Sequence, residues 1–253
     1  MLIENPRGKY SFLRGISPYS AGAIASPGFE IVHARLQPAL PLRRGFEAVD
    51  GHLRSLGLPR QALCAMELRS PRPFTFQGFS DFNAGYVKIL KSWDILQDGL
   101  NPVARTNVAP ELDPPAEPSI YAFSYTVPLP ASAVPGRPTF IVAGAGELPE
   151  GTLDPHDVVR RGELTADALV EKARFVWGLM DGRLRGLGVG WQDVTVSELY
   201  TVHDIGHMLA KEILPPMGAA KLQGLTWHFA RPPIVSIEYE MDLRGCRREV
   251  IIP

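Results

Sequence analysis

One motif occurs twice in this chain. His52-Leu53-Arg54-Ser55-Leu56-Gly57 reads like Arg183-Leu184-Arg185-Gly186-Leu187-Gly188. A helical apolar pattern precedes each copy, and a strand carrying Glu-Leu follows after a short turn. The pairs are Glu67-Leu68 and Glu198-Leu199, at the same offset as the motifs themselves. A repeat of this length is explained by one folding unit used twice. With 253 residues, each half has about 120–130 residues, an ordinary domain size.

Composition narrows the function classes. The hydrophobic share of 45% with 21% charged residues allows a normal core. A formal net charge of -1 argues against a nucleic-acid-coating surface, which needs a basic patch. No stretch approaches the ~18 apolar residues of a membrane span, and Met1 to Arg7 lacks a signal peptide's apolar run. The two cysteines, Cys64 and Cys246, read as small buried hydrophobes in a reducing compartment. The expectation is a cytoplasmic protein with no nucleic-acid or membrane partner.

Periodicity supplies the elements. The first half reads as a strand over 29–36, a helix over 40–56, a strand over 62–68, a helix over 79–93, and strands over 103–108 and 120–127. A further hairpin strand is expected within 13–25. The Pro-, Gly-, Ala- and Ser-rich segment 129–138 reads as a linker. The order then begins again: a strand at 140–143, a long helix over 165–187, a strand over 194–202, a short helix over 204–214 with Asp204 as N-cap, and closing strands over 225–229 and 234–242. Residues 247–252 are expected to extend that sheet. The domain reading is therefore 1–128 and 139–253, each an α+β unit.

Several segments resemble one family. Ile16-Ser17-Pro18-Tyr19-Ser20-Ala21 resembles the Gly-Pro-Tyr-Ser opening of the Rid proteins, the YjgF family of enamine and imine deaminases. Val103-Ala104-Arg105-Thr106 resembles the family's Pro-Ala-Arg-Ser strand, which carries the substrate-binding arginine. Val142-Ala143-Gly144-Ala145-Gly146-Glu147-Leu148-Pro149 resembles its Ser-Gly-Gln-x-Pro strand end, and Val32 to Pro38 stands at the same place in the first half. Ile237-Glu238-Tyr239-Glu240 resembles its last strand, which supplies a catalytic carboxylate. The resemblance implies two tandem Rid/chorismate-mutase-like units, each a mixed sheet with helices on one face, and a barrel formed by association. Chorismatases resemble such a tandem version.

The resemblance also implies chemistry. Arg105 would clamp a substrate carboxylate, with Tyr19 and Gly146 beside it. The first half has no carboxylate within its last strand, and the second has no arginine near Gly224. The implied site therefore draws Arg105 from one repeat and a glutamate, Glu238 first, from across the repeat interface. Glu238 and Glu240 alternate on the expected strand and would share a face. In a cleft, one would gain a raised pKa and serve as a base for water; on an open face both would be solvated. His228 reads as an acid or base near the cleft, or as a packed histidine.

Glu67 and Glu198 read as a shared structural hydrogen bond. His203 and His207 have metal-like spacing, but Asp204 leaves His203 outside the helix, and no metal site is read. Gly144-Ala145-Gly146 stands too far from the long helix for a phosphate loop.

The leading expectation is hydrolytic deamination of a small carboxylate-bearing enamine or imine, 2-aminoacrylate- or aminomuconate-like, without a cofactor. The assembly expected is a homotrimer, with a monomer as the alternative. The competing readings are a chorismatase-like hydrolase and a non-catalytic metabolite-binding protein.

Overall fold

The computed structural model describes residues 1–130 and 136–253. Part of the expected linker, 131–135, lies outside the described residues. The chain is an α+β protein of two mixed sheets. In chain order its strands are β1 (Leu2–Asn5), β2 (Tyr10–Leu13), β3 (Gly22–Ala25), β4 (Phe29–Pro41), β5 (Leu63–Arg69), β6 (Ala104–Pro110) and β7 (Ser119–Pro128). They continue with β8 (Phe140–Gly146), β9 (Val196–Tyr200), β10 (Thr226–His228), β11 (Ala230–Arg231), β12 (Glu240–Gly245) and β13 (Arg248–Ile252). Three long helices accompany them: α1 (Leu42–Ser55), α2 (Phe76–Ser92) and α3 (Ala166–Leu187).

One sheet has the order β1-β2-β3-β8-β12-β9-β10, the other β11-β6-β5-β7-β4-β13. Both remain open sheets rather than one closed barrel. Within them the two halves pair alike. β4 and β7 are antiparallel, β7 and β5 antiparallel, β5 and β6 parallel. β8 and β12, β12 and β9, and β9 and β10 follow the same directions. α1 follows β4 as α3 follows β8, and the repeated motif ends at Gly57 and Gly188, both at positive φ (68° and 76°). A side chain is strained there, and glycine closes both helices without that cost.

The ends of the chain cross over. β3 pairs with β8, so the N-terminal hairpin completes the sheet of the second half. β13 pairs with β4, in the first half's sheet, where an extension of the second sheet was expected.

Amphipathic faces set the layers. α1 buries Phe46, Val49 and Leu53, which pack with α2 residues Tyr86 and Leu90 on one sheet. α3 buries Val176, Met180, Leu184 and Leu187 against the other. One apolar cluster between the sheets combines small side chains (Ala23, Cys64, Ala65, Ala104, Ala143 and Cys246) with Tyr10, Phe12, Ile31 and Ile141.

Two elements depart from the periodicity. The expected helix over 204–214 is a three-residue turn, Gly206–Met208, widening into a π-helix over Leu209–Ile213. Ile205, not the expected Asp204, is the N-cap; Asp204 accepts from Gly206 N just before the turn (2.8 Å), and Pro215 and Pro216 follow, where proline cannot extend a helix. The last long strand begins only at Glu240, not at 234. Val235 N instead donates to Phe74 O, and Ser236 turns the chain at a φ of 75°. The Glu147 carboxylate then accepts the Glu238 and Tyr239 N–H groups at 2.7 and 3.0 Å.

Glu147 is itself buried against an equally buried Lys172, whose Nζ lies 3.0 Å away. Removing one member of such a pair strands the other charge. Lys172→Met is therefore expected to lower stability by ~3–5 kcal/mol in urea unfolding. A loss below about 1 kcal/mol would show that Glu147 needs no cation.

Candidate active site

A cleft opens where β6, β8, β12, α2 and α3 meet, with a volume of about 660 Å³ including its mouth. Arg105 of β6 lies in its wall. The residue is 2% exposed, and among the described residues none of its three guanidinium nitrogens has a hydrogen-bond partner. Aromatic rings surround it instead. Its central carbon lies 4.5 Å from the Tyr19 ring centre, 4.8 Å from Tyr86, 5.4 Å from Phe79 and 5.7 Å from Phe82. Phe79, Phe82 and Tyr86 form one stripe of α2 by helical spacing. Ring faces attract a cation but accept none of its N–H bonds in plane. Burial holds the Arg105 pKa below its ordinary value, yet arginine keeps its charge. The result is a desolvated cation with unused donors facing a cleft.

Glu240 opens β12 opposite Gly146 of β8 and Tyr200 of β9. It is 4% exposed and lines the same cleft. Burial pushes its pKa up to about 8, against the pull of Arg183 and Arg105 and helped by Glu147. It therefore carries a proton at neutral pH. A Cβ on Gly144 would collide with its Oε1, and a Cβ on Gly146 would collide with the Ile237 side chain. The glycines of this strand thus make room for the carboxyl group and for the cleft wall.

The cleft brings together Arg105, Tyr19, Gly146 and Glu240. Glu238 and His228 are not among its lining residues. The turn at Ser236 rotates Glu238 away from the face of Glu240, and its Oε2 meets His203 Nε2 at 2.8 Å. His228 stacks on Tyr200 with ring centres 4.8 Å apart and stands 3.4 Å from Glu198 Oε1.

That histidine borders a separate charged layer between the sheets. Arg244 Nη1 lies 3.0 Å from Glu198 and 3.9 Å from Glu67. Burial and the neighbouring Glu198 push Glu67 up to about 6. Despite its burial, Glu198 is held below the ordinary range by His228 and Arg244. Tyr200 OH lies 3.0 Å from both Glu198 Oε2 and Asp242 Oδ2. One hydroxyl proton cannot serve two carboxylates. Burial lifts the Asp242 pKa well above its usual value, and Thr106 Oγ1 donates to the same Asp242 Oδ2 at 2.6 Å. Glu67 and Glu198, matched between the two halves, both face Arg244.

Sequence reading did not single out Arg183 or Glu150, which also line the cleft. Arg183 heads the second copy of the repeated motif where the first has His52. That exchange inside an otherwise matched motif is a signal in the sequence.

Fold and cleft together define an α+β protein with a buried arginine and a buried carboxyl group lining one cleft. The chain belongs to the 2-aminomuconate deaminase CnbZ family, whose model matches residues 2–250. A 2-amino-5-chloromuconate deaminase of Comamonas testosteroni is 45% identical over 246 residues, covering 97% of this chain and 96% of that protein. Among solved structures, a chorismatase aligns over 89% of this chain and 77% of its own, at 14% identity and a TM-score of 0.43. The YjgF gene product of E. coli aligns over 44% of this chain and 81% of its own, at 14% identity and a TM-score of 0.27. Among the described residues no helix is long and apolar enough to cross a membrane.

Proposed function

We propose that this chain hydrolyses a 2-amino-2-enoate of the aminomuconate type to a 2-oxo acid and ammonia. The observation that carries this reading is the unpaired Arg105 guanidinium, walled by rings, in one cleft with the protonated Glu240. A buried arginine without an anion is costly. A carboxylate beside the amino-bearing carbon repays that cost through two parallel charge-assisted bonds. The Tyr19 ring lies against the same guanidinium and offers a flat, apolar neighbour to a conjugated chain.

Glu240 then serves as acid and base in turn. Its proton goes to the enamine carbon next to the amino-bearing one, and the double bond shifts to C=N. The carboxylate so formed takes a proton from water as the oxygen attacks the imine carbon. The resulting carbinolamine receives that proton on nitrogen, the C–N bond breaks, and ammonia leaves. The hydroxyl proton returns to Glu240 as C=O forms. Water is the only co-reactant, and no electrons are gained or lost.

The test is ammonia release from 2-aminomuconate generated in situ, followed together with loss of the dienamine absorbance. Absence of ammonia above the spontaneous rate would remove this reading. The assembly reading joins it: β1, β10, β11 and β13 are sheet edges, and Trp227 of β10 and Phe229 just after it are 43% and 47% exposed. Unpaired edges invite association, so light scattering at micromolar concentration is expected to give a homotrimer. A stable dimer would count against it.

A further inference from the structure

The cleft holds a second arginine that these proton transfers do not use. Arg183 projects from α3, and its side chain is 9% exposed. Its Nη1 donates to the carbonyl oxygens of Ala143 and Gly144 at 2.8 and 3.3 Å. Those bonds lock one edge of the guanidinium to β8. The other edge, Nε and Nη2, grips both oxygens of Glu150 at 2.6 and 3.1 Å.

The two partners are held very differently. Arg183 is anchored by backbone from inside the fold. Glu150 rides on the loop after β8, beside Gly151 at a φ of 83°, and its side chain is 46% exposed. A fixed cation thus meets an anion that can leave for water at little cost. Exchanging one carboxylate for another on the same fork preserves both the charge balance and the bidentate geometry. Arg105, Arg183 and Glu240 line one cleft, so a single elongated molecule in it meets both arginines.

We propose that Arg183 receives the distal carboxylate of a dicarboxylic substrate, and that Glu150 fills its fork in the empty enzyme. This rests on the reading that Arg105 holds the carboxylate beside the amino-bearing carbon. Ile16, Leu148 and Ile237 line the same cleft and suit an unsaturated chain joining the two acids. Selection of a dicarboxylate follows, because a one-acid enamine leaves Glu150 in place and gains nothing at Arg183.

Two stable probes separate the ends. trans,trans-Muconate and sorbate share a six-carbon diene and differ in the second carboxylate. Calorimetric titration of the wild type is expected to show muconate binding tighter than sorbate by on the order of tenfold or more, the range for a hydrogen bond to a charged group. Arg183→Met should remove most of that ratio, and Arg183→Lys should keep part of it. Glu150→Gln should enlarge it by about threefold, since the competing anion is gone. Thermal melting of each variant checks folding, and Glu150→Gln, an exposed loop change, tests the idea if Arg183→Met does not fold.

Equal binding of the two probes by the wild type, no muconate binding, or a ratio unchanged in both Arg183→Met and Glu150→Gln would overturn the proposal. Arg105→Met reports separately. It should weaken both probes alike, and undiminished sorbate binding there would defeat the Arg105 reading instead.

Discussion

Arg105→Met is expected to cost nearly all turnover and yet to raise the melting temperature. The guanidinium is buried, ringed by Tyr19, Phe79, Phe82 and Tyr86, and makes no hydrogen bond among the described residues. Methionine fills similar space without a charge to desolvate, and such replacements stabilise by ~1–4 kcal/mol. Turnover depends on the opposite property. Losing a desolvated arginine from a carboxylate costs ~2–5 kcal/mol, about 30- to 5,000-fold in kcat/KM. Arg105→Lys keeps the charge but not the planar fork, and should fall between. Calorimetric melting and steady-state kinetics on the same samples check both halves. Unchanged turnover in Arg105→Met would take the residue out of the mechanism; a large fall in melting temperature would show that the cation is paired in solution.

Glu240→Gln is expected to lower kcat by about 10²- to 10⁴-fold, the usual contribution of a positioned acid–base group. The amide keeps the shape and loses the transferable proton. The pH dependence of the wild type follows from the same group. Its pKa is raised to about 8 in the folded protein, so the acid form needed for the first proton transfer is full at pH 7. It is lost as pH rises through about 8, and kcat/KM should fall tenfold per unit above that value. A bound carboxylate neutralises Arg105, one of the cations favouring ionised Glu240, so the corresponding limb in kcat should lie higher. A kcat/KM that climbs through pH 8 would mean that the ionised form starts the reaction, and Glu240 would then be a base only.

Glu238 and Glu240 show where sequence reading stops. Alternation placed both on one face, as a continuous strand would. The chain does not run as a strand there, because Glu147, ninety residues earlier, takes two of its N–H groups and Ser236 turns it. A competing hydrogen-bond acceptor far away in sequence leaves no mark in local periodicity. The Glu240 pKa is equally non-local: it comes from burial among Arg183, Glu147 and Arg105, which stand on other elements.

The sequence by itself determined the helix stripes of α1 and α3, the glycines that end the repeated motif, most of the strands, and Arg105 and Tyr19 as candidates. The elements are written in residue type and spacing over a few turns or pleats; the two candidates came from the resemblance of their segments to the Rid family. Only the tertiary structure decided that the N-terminal hairpin pairs with β8 and the C-terminal strand with β4. It also chose Glu240 over Glu238 as the carboxyl in the cleft, and set Arg183 with Glu150 beside it. Those outcomes depend on which distant groups share one buried volume, where desolvation and a few hydrogen bonds outweigh local preference.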